Sequence, residues 1–172
     1  SEVLGGSAGL VFQEIREARG LAYSAYSAFT TPGRMDKSHY IHAFIGTQVH
    51  KLEEALNAMF GLMNDIPDAE ISFEAAKESI LKNLETERIL NSELFWAYLE
   101  NNDIGIHHDY REDLYNRIKK MTFDEVKDFF ANNIKGQKFT VLVLGNKKDI
   151  DFNSLENYGE VRELKLKEIF NY

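Results

Sequence analysis

Histidine is the commonest metal-ligating side chain, and it occurs at positions 39, 42, 50, 107 and 108. A helical zinc site needs two His at turn spacing beside a Glu, as H-E-x-x-H or the inverse H-x-x-E-H, and neither pattern occurs. His39 and His42 lie three apart in a stretch with strand character, an odd offset that sends their side chains to opposite faces and keeps both from gripping one ion. His107, His108 and Asp109 read as a polar connection between helices, with a loop metal site as the sharper alternative. Nucleophile arrangements are missing too: there is no cysteine and no G-x-S-x-G elbow. Gly5, Gly6 and Gly9 precede a helical pattern and offer backbone N–H groups to an anion, but the P-loop lysine is absent, so they read as a turn that launches a helix.

What remains is the segment 12–23, F-Q-E-I-R-E-A-R-G-L-A-Y. Arg16 falls on the last turn of an amphipathic helix, Gly20 ends that helix, and Tyr23 stands at the start of a strand. A helix–glycine–strand reversal can bring guanidinium and phenol to one rim of a sheet, where they form a donor pair for a carbonyl or an oxyanion. The plainer reading is that Arg16 and Arg19 complement the helix C-terminal dipole while Tyr23 packs on the sheet.

The elements that must position these residues follow from period and punctuation. Val11, Ile15 and Ala18 recur at helical spacing over 7–19, with Ser7 as N-cap and Gly20 as the terminating glycine. Over 21–31 the period becomes two, with Tyr23, Ala25, Ser27 and Phe29 alternating against Ala22, Ser24, Tyr26 and Ala28. After Pro32 and Gly33 a second strand is expected at 39–47, with Ile41, Ala43 and Ile45 on one face, which makes a hairpin. Leu52, Ala55, Leu56, Met59, Phe60 and Met63 predict a helix that stops before Pro67 and lies across that hairpin. A long helical tract opens near Ser72, with Phe73, Ala76, Ile80 and Leu84 inward, breaks near Asn91 and Ser92, and resumes to Gly105. Leu114, Ile118 and Met121 make a shorter helix. Thr122 and Glu125 form a capping box with Met121 and Val126 at the staple positions, predicting a helix over 123–134. The apolar run 139–144 reads as a buried strand beside the hairpin, and 161–166 as an edge strand. The sum is an α+β fold, an antiparallel sheet with helices packed on one face, in a single domain over 1–172.

Composition agrees and narrows the function classes. A 172-residue chain can bury roughly two thirds of its unfolded surface, and 44% hydrophobic against 28% charged residues is a globular balance that excludes disordered and low-complexity readings. The net charge of −8 and the lack of a basic stripe argue against nucleic acid. No apolar stretch approaches the ~20 residues of a membrane helix, so membrane insertion is not expected. A cysteine-free chain leaves the compartment open, cytoplasm and periplasm alike. The chain opens without Met on a glycine turn, as a piece of a longer polypeptide would.

At the run from Gly5 and Gly6 through Phe12 to Tyr23 and Ser24, the sequence resembles the signature of the insulinase/pitrilysin-type zinc peptidases, whose relatives include the mitochondrial processing peptidase and core proteins of respiratory complexes. The order of the later elements resembles that family across nearly the whole chain, although only the R-x-x-x-G-L-A-Y element, Arg16 to Tyr23, is sharp. The resemblance implies several things. Such peptidases are built from homologous α+β units; the active unit carries H-x-x-E-H with a downstream Glu, and this chain resembles the metal-free unit. In that unit the Arg and Tyr at the positions of Arg16 and Tyr23 reach across a chamber to the other unit's zinc and hold the substrate backbone and scissile carbonyl. The expected partners are therefore a homologous catalytic unit, which supplies the zinc, and a peptide substrate; the chain itself holds no metal and is inert alone. A complete unit begins with strands and helices ahead of the Gly5 turn, so the sheet is expected to be incomplete at its start. Two alternatives stand beside this: a scaffold or interaction subunit of the same fold, and an autonomous enzyme with a metal on His107, His108 and a carboxylate.

Overall fold

A computed structural model describes residue 3 and residues 9–170. The expected N-cap at Ser7 and most of the Gly5 turn lie outside the described residues.

Two strands, β1 (Ala22–Thr30) and β2 (Tyr40–Thr47), pair antiparallel in one sheet, as the alternation over 21–31 and 39–47 predicts. The pairs Ala25↔Ile45, Ser27↔Ala43 and Phe29↔Ile41 fall on the face that carries Ala25 and Ser27 into the interior. The opposite face presents Tyr26 stacked on its cross-strand partner Phe44, ring centroids 5.5 Å apart, with the His42 ring edge-on to Tyr26. Cross-strand aromatic pairs of this kind stabilise a sheet that has two strands among the described residues.

Helix α1 (Phe12–Ala18) leads into β1 and buries Ile15 completely. Behind the sheet lies α2 (Leu52–Asn64), reached through a single tight turn at Val49–Lys51. Its residues Ala55, Met59, Leu62 and Met63 meet Val11, Ile15, Leu21 and Ala25 in the main core, where the half-buried Ile41 and Ile45 also pack. Next come α3 (Glu70–Thr86), α4 (Leu94–Asp103), α5 (Arg111–Lys120) and α6 (Phe123–Asn133). Phe73 of α3 and Phe123 of α6 share a smaller cluster with Leu10 and Ala69, and Ile66 packs against both clusters and joins them. The break between α3 and α4 falls at 87–93, where the Asn91 and Ser92 pair predicts it. At α6 the capping box is complete: Glu125 N–H donates to Thr122 Oγ1, and Thr122 N–H donates to the Glu125 carboxylate. Two short helices follow, α7 (Phe152–Glu156) and α8 (Leu166–Phe170).

Two expected strands are corrected. Residues 139–144 run without a ladder partner among the described residues: Phe139 packs edge-on against Phe60, but Leu142 and Leu144 are 81% and 98% exposed. A continuous apolar run is a buried strand only when neighbours cover both faces, and the hairpin does not reach it. The edge strand expected over 161–166 is likewise absent; this stretch is irregular, and Leu166 starts α8, capped by Lys165 N–H donating to the Glu168 carboxylate. No helix among the described residues is long and apolar enough to cross a membrane.

Candidate functional site

The reversal between α1 and β1 carries Arg16 on one side and Tyr23 on the other. Gly20 makes the turn possible: its φ of 57° is the left-handed conformation that L side chains resist. Gly20 N–H donates to the Arg16 carbonyl at 3.1 Å and Leu21 N–H to the Ile15 carbonyl at 2.9 Å. Each bond spans one residue more than in an ordinary Schellman close, because α1 is wound as a π-helix, with an extra residue in its turn. The wider winding keeps Ile15 inward and leaves Arg16 at the surface, its guanidinium 4.8 Å from the Phe12 ring centroid and 3.6 Å from the Glu17 carboxylate.

Tyr23 is placed by a β-bulge. Ala22 faces Thr47 and Ser24 faces Gly46, so two steps along β1 match one step along β2. Simple alternation would put Tyr23 on the interior face with Ala25 and Ser27. The extra residue takes it out of that alternation, and Tyr23 stands 88% exposed, its hydroxyl without a hydrogen-bond partner among the described residues. The plainer expectation, a tyrosine packed on the sheet, is therefore not what the fold builds.

Two side chains that the sequence alone does not single out hold this reversal. Thr47 Oγ1 donates to the Leu21 carbonyl at 2.5 Å, and Lys51 Nζ donates to the Gly20 carbonyl at 3.0 Å. Both sit where β2 passes into α2, opposite the start of β1. The usable signal is the hairpin register, which sets Thr47 against Ala22, but residue types do not show that register.

The other candidates separate. His39 stacks on Phe29 with ring centroids 5.6 Å apart, whereas His42 belongs to the Tyr26 and Tyr40 aromatic face. His108 lies 3.0 Å from Asp113, and Asp109 is taken up by Arg111, which donates to it from Nε at 2.8 Å, from Nη2 at 2.5 Å and from its backbone N–H at 3.1 Å. Those bonds, the side-chain pair first, pull the Asp109 carboxyl down to about 2. Among the described residues no group of three or more His, Asp or Glu converges in a way that would hold a metal ion.

Residues 1–80 match the sequence model of the family described as "Peptidase M16 inactive domain". The fold is similar to the crystal structure of a peptidase M16 inactive domain from Pseudomonas fluorescens, with a TM-score of 0.60 at 18% identity, over 78% of this chain and 32% of that one. The chain therefore spans about a third of the length of that structure. No curated protein matches the chain. The family match is confined to residues 1–80, and the structural likeness shows a shared fold.

Proposed function

We propose that this chain is the substrate-positioning part of a two-unit zinc peptidase, contributing Arg16 and Tyr23 to a site whose metal belongs to a homologous catalytic unit. The observation that supports it best is the bulge at Tyr23, which leaves a phenol fully presented and unpaired one glycine turn away from an exposed guanidinium. Bulges beside functional sites commonly re-aim a side chain in this way. A tyrosine with no packing role has little structural reason to stand outside the alternation of its strand.

In this role a metal held by the catalytic unit would supply Lewis-acid polarisation of the scissile carbonyl from one side. The Tyr23 hydroxyl donates from the other side to the oxygen that becomes the oxyanion, and Arg16 donates to a neighbouring backbone carbonyl of the extended peptide. A single such donor is typically worth ~10²–10³ in rate. Because the donors and the metal lie on different units, the complete site forms only when the two close on a peptide.

Peptide hydrolysis by the complete two-unit protein tests this. Tyr23→Phe and Arg16→Ala are each expected to lower kcat/KM at least ~100-fold with the partner's metal still bound. Unchanged turnover in both variants overturns the reading and leaves the scaffold alternative.

A further inference from the structure

We propose that the outward face of the β1–β2 hairpin selects the peptide, by seating an aromatic or large aliphatic side chain about three residues from the bond that is cut. This rests on the role given to Tyr23 above and adds a specificity that the donor pair alone does not supply. Ala22 packs against the main core and Ala25 is buried in it, an odd separation along β1 that only the bulge permits. The two residues between them, Tyr23 and Ser24, therefore both turn to the opposite face. That face continues with Tyr26 on β1 and with Phe44, His42 and Tyr40 on β2.

The four rings form one unbroken row. Tyr26 stacks on Phe44, His42 stands edge-on to Tyr26 at 6.0 Å between centroids, and Tyr40 lies 5.9 Å from His42. Pairing across the strands does not use the rings up, since Tyr26, Phe44 and Tyr40 remain 43%, 48% and 57% exposed. Contiguous apolar patches of this kind commonly mark binding surfaces, and continuity with Tyr23 says what covers this one. Tyr26 follows Tyr23 by three residues, roughly 10 Å along the strand, which is the reach of three residues of an extended peptide. A peptide that runs along the hairpin with its carbonyl at Tyr23 lays a side chain on Tyr26 and Phe44. Gly46 keeps the edge of the Phe44 ring bare, since a Cβ there would stand 3.5 Å from it. Charge decides the chemistry of that side chain. Positions 24, 26, 28 and 30 of β1 and 40, 42, 44 and 46 of β2 carry no Asp, Glu, Lys or Arg, so a charged side chain would lose water there without gaining a counter-ion.

Internally quenched peptides cut by the complete two-unit protein test this, with Phe, Lys, Glu or Ala moved stepwise through the positions on each side of the cut and the cut read by mass spectrometry. Phe about three residues from the cut is expected to raise kcat/KM about 10-fold over Ala, and Lys and Glu to give no such gain. Tyr26→Thr and Phe44→Val keep strand propensity and are each expected to bring the Phe-to-Ala ratio down to about 1, with circular dichroism confirming that both are folded. Tyr23→Phe is expected to slow both peptides alike and to keep the ratio. A parent without the Phe preference, a preference for Lys, or a ratio that survives in both hairpin variants overturns the proposal and leaves the donor role standing. Unchanged turnover in Tyr23→Phe and Arg16→Ala removes the donor role, and this proposal with it.

Discussion

The ammonium of Lys51, at the entrance to α2, lies 3.0 Å from the carbonyl oxygen of Gly20, the residue on which α1 turns into β1. With Thr47 held to the next carbonyl, the β2–α2 junction grips the reversal that presents Arg16 and Tyr23. Thr47→Val removes one of these bonds without changing side-chain shape, and Lys51→Met removes the other. Each is expected to destabilise the fold by about 1 kcal/mol in urea unfolding. In the two-unit peptidase proposed above, each is also expected to lower kcat with KM nearly unchanged, and Lys51→Arg to restore it. A loss of stability with turnover intact would confine both residues to scaffolding.

Gly20 offers a second test, independent of any activity. A methyl group at its Cα meets nothing within 4 Å, so the cost of Gly20→Ala is backbone strain alone, about 1–2 kcal/mol for a left-handed residue. Gly20→Asn should cost less, since asparagine tolerates that conformation. Equal stability of Gly20→Ala and the parent in a denaturant melt would contradict the turn described above.

The capping box predicts its own loss. Thr122→Ala is expected to cost about 1 kcal/mol, and Thr122→Ser a small part of that, because the serine hydroxyl still accepts from Glu125 N–H. Glu125 has a second partner, Arg117, at 2.8 Å. The Thr122 backbone bond first, and then Arg117, hold the Glu125 carboxyl below its usual range. Glu125→Gln therefore separates the cap from the ion pair: it keeps an acceptor for Thr122 N–H and weakens only the contact to Arg117.

Asp109 gives a pH dependence with a definite sign. Its carboxyl is lowered in the folded state from 3.8 to about 2, so the stabilisation it brings is complete above pH ~4 and fades as the pH falls through about 2. The pair is exposed, so solvent screening limits it to about 0–1 kcal/mol. An NMR titration should place the Asp109 midpoint near 2, and Arg111→Met should return it to the ordinary aspartate range. A midpoint near 4 in the parent would mean that the Arg111 fork does not persist in solution.

Local chemistry made much of this fold readable. Thr122 and Glu125 marked the start of α6, Gly20 marked the end of α1, and strict alternation marked β1 and β2, because each of these signals depends on neighbours within a few residues. Residues 139–144 misled for the opposite reason: an apolar run says that cover is wanted without saying whether cover is there. The site divides in the same way. Arg16 and Tyr23 stood out by type and spacing, but the bulge that turns Tyr23 outward depends on pairing with a strand some twenty residues away, and so do the contacts of Thr47 and Lys51.

The outward face of α4 carries the single tryptophan, Trp96, 63% exposed and edge-on to Phe95 at 5.3 Å between ring centroids. An indole so placed emits at long wavelength and changes little when the distant core comes apart. Its fluorescence is thus a built-in lamp for whatever settles on that helix: a shift to the blue reports cover at α4, while the melting of the sheet and its helices must be followed by other light.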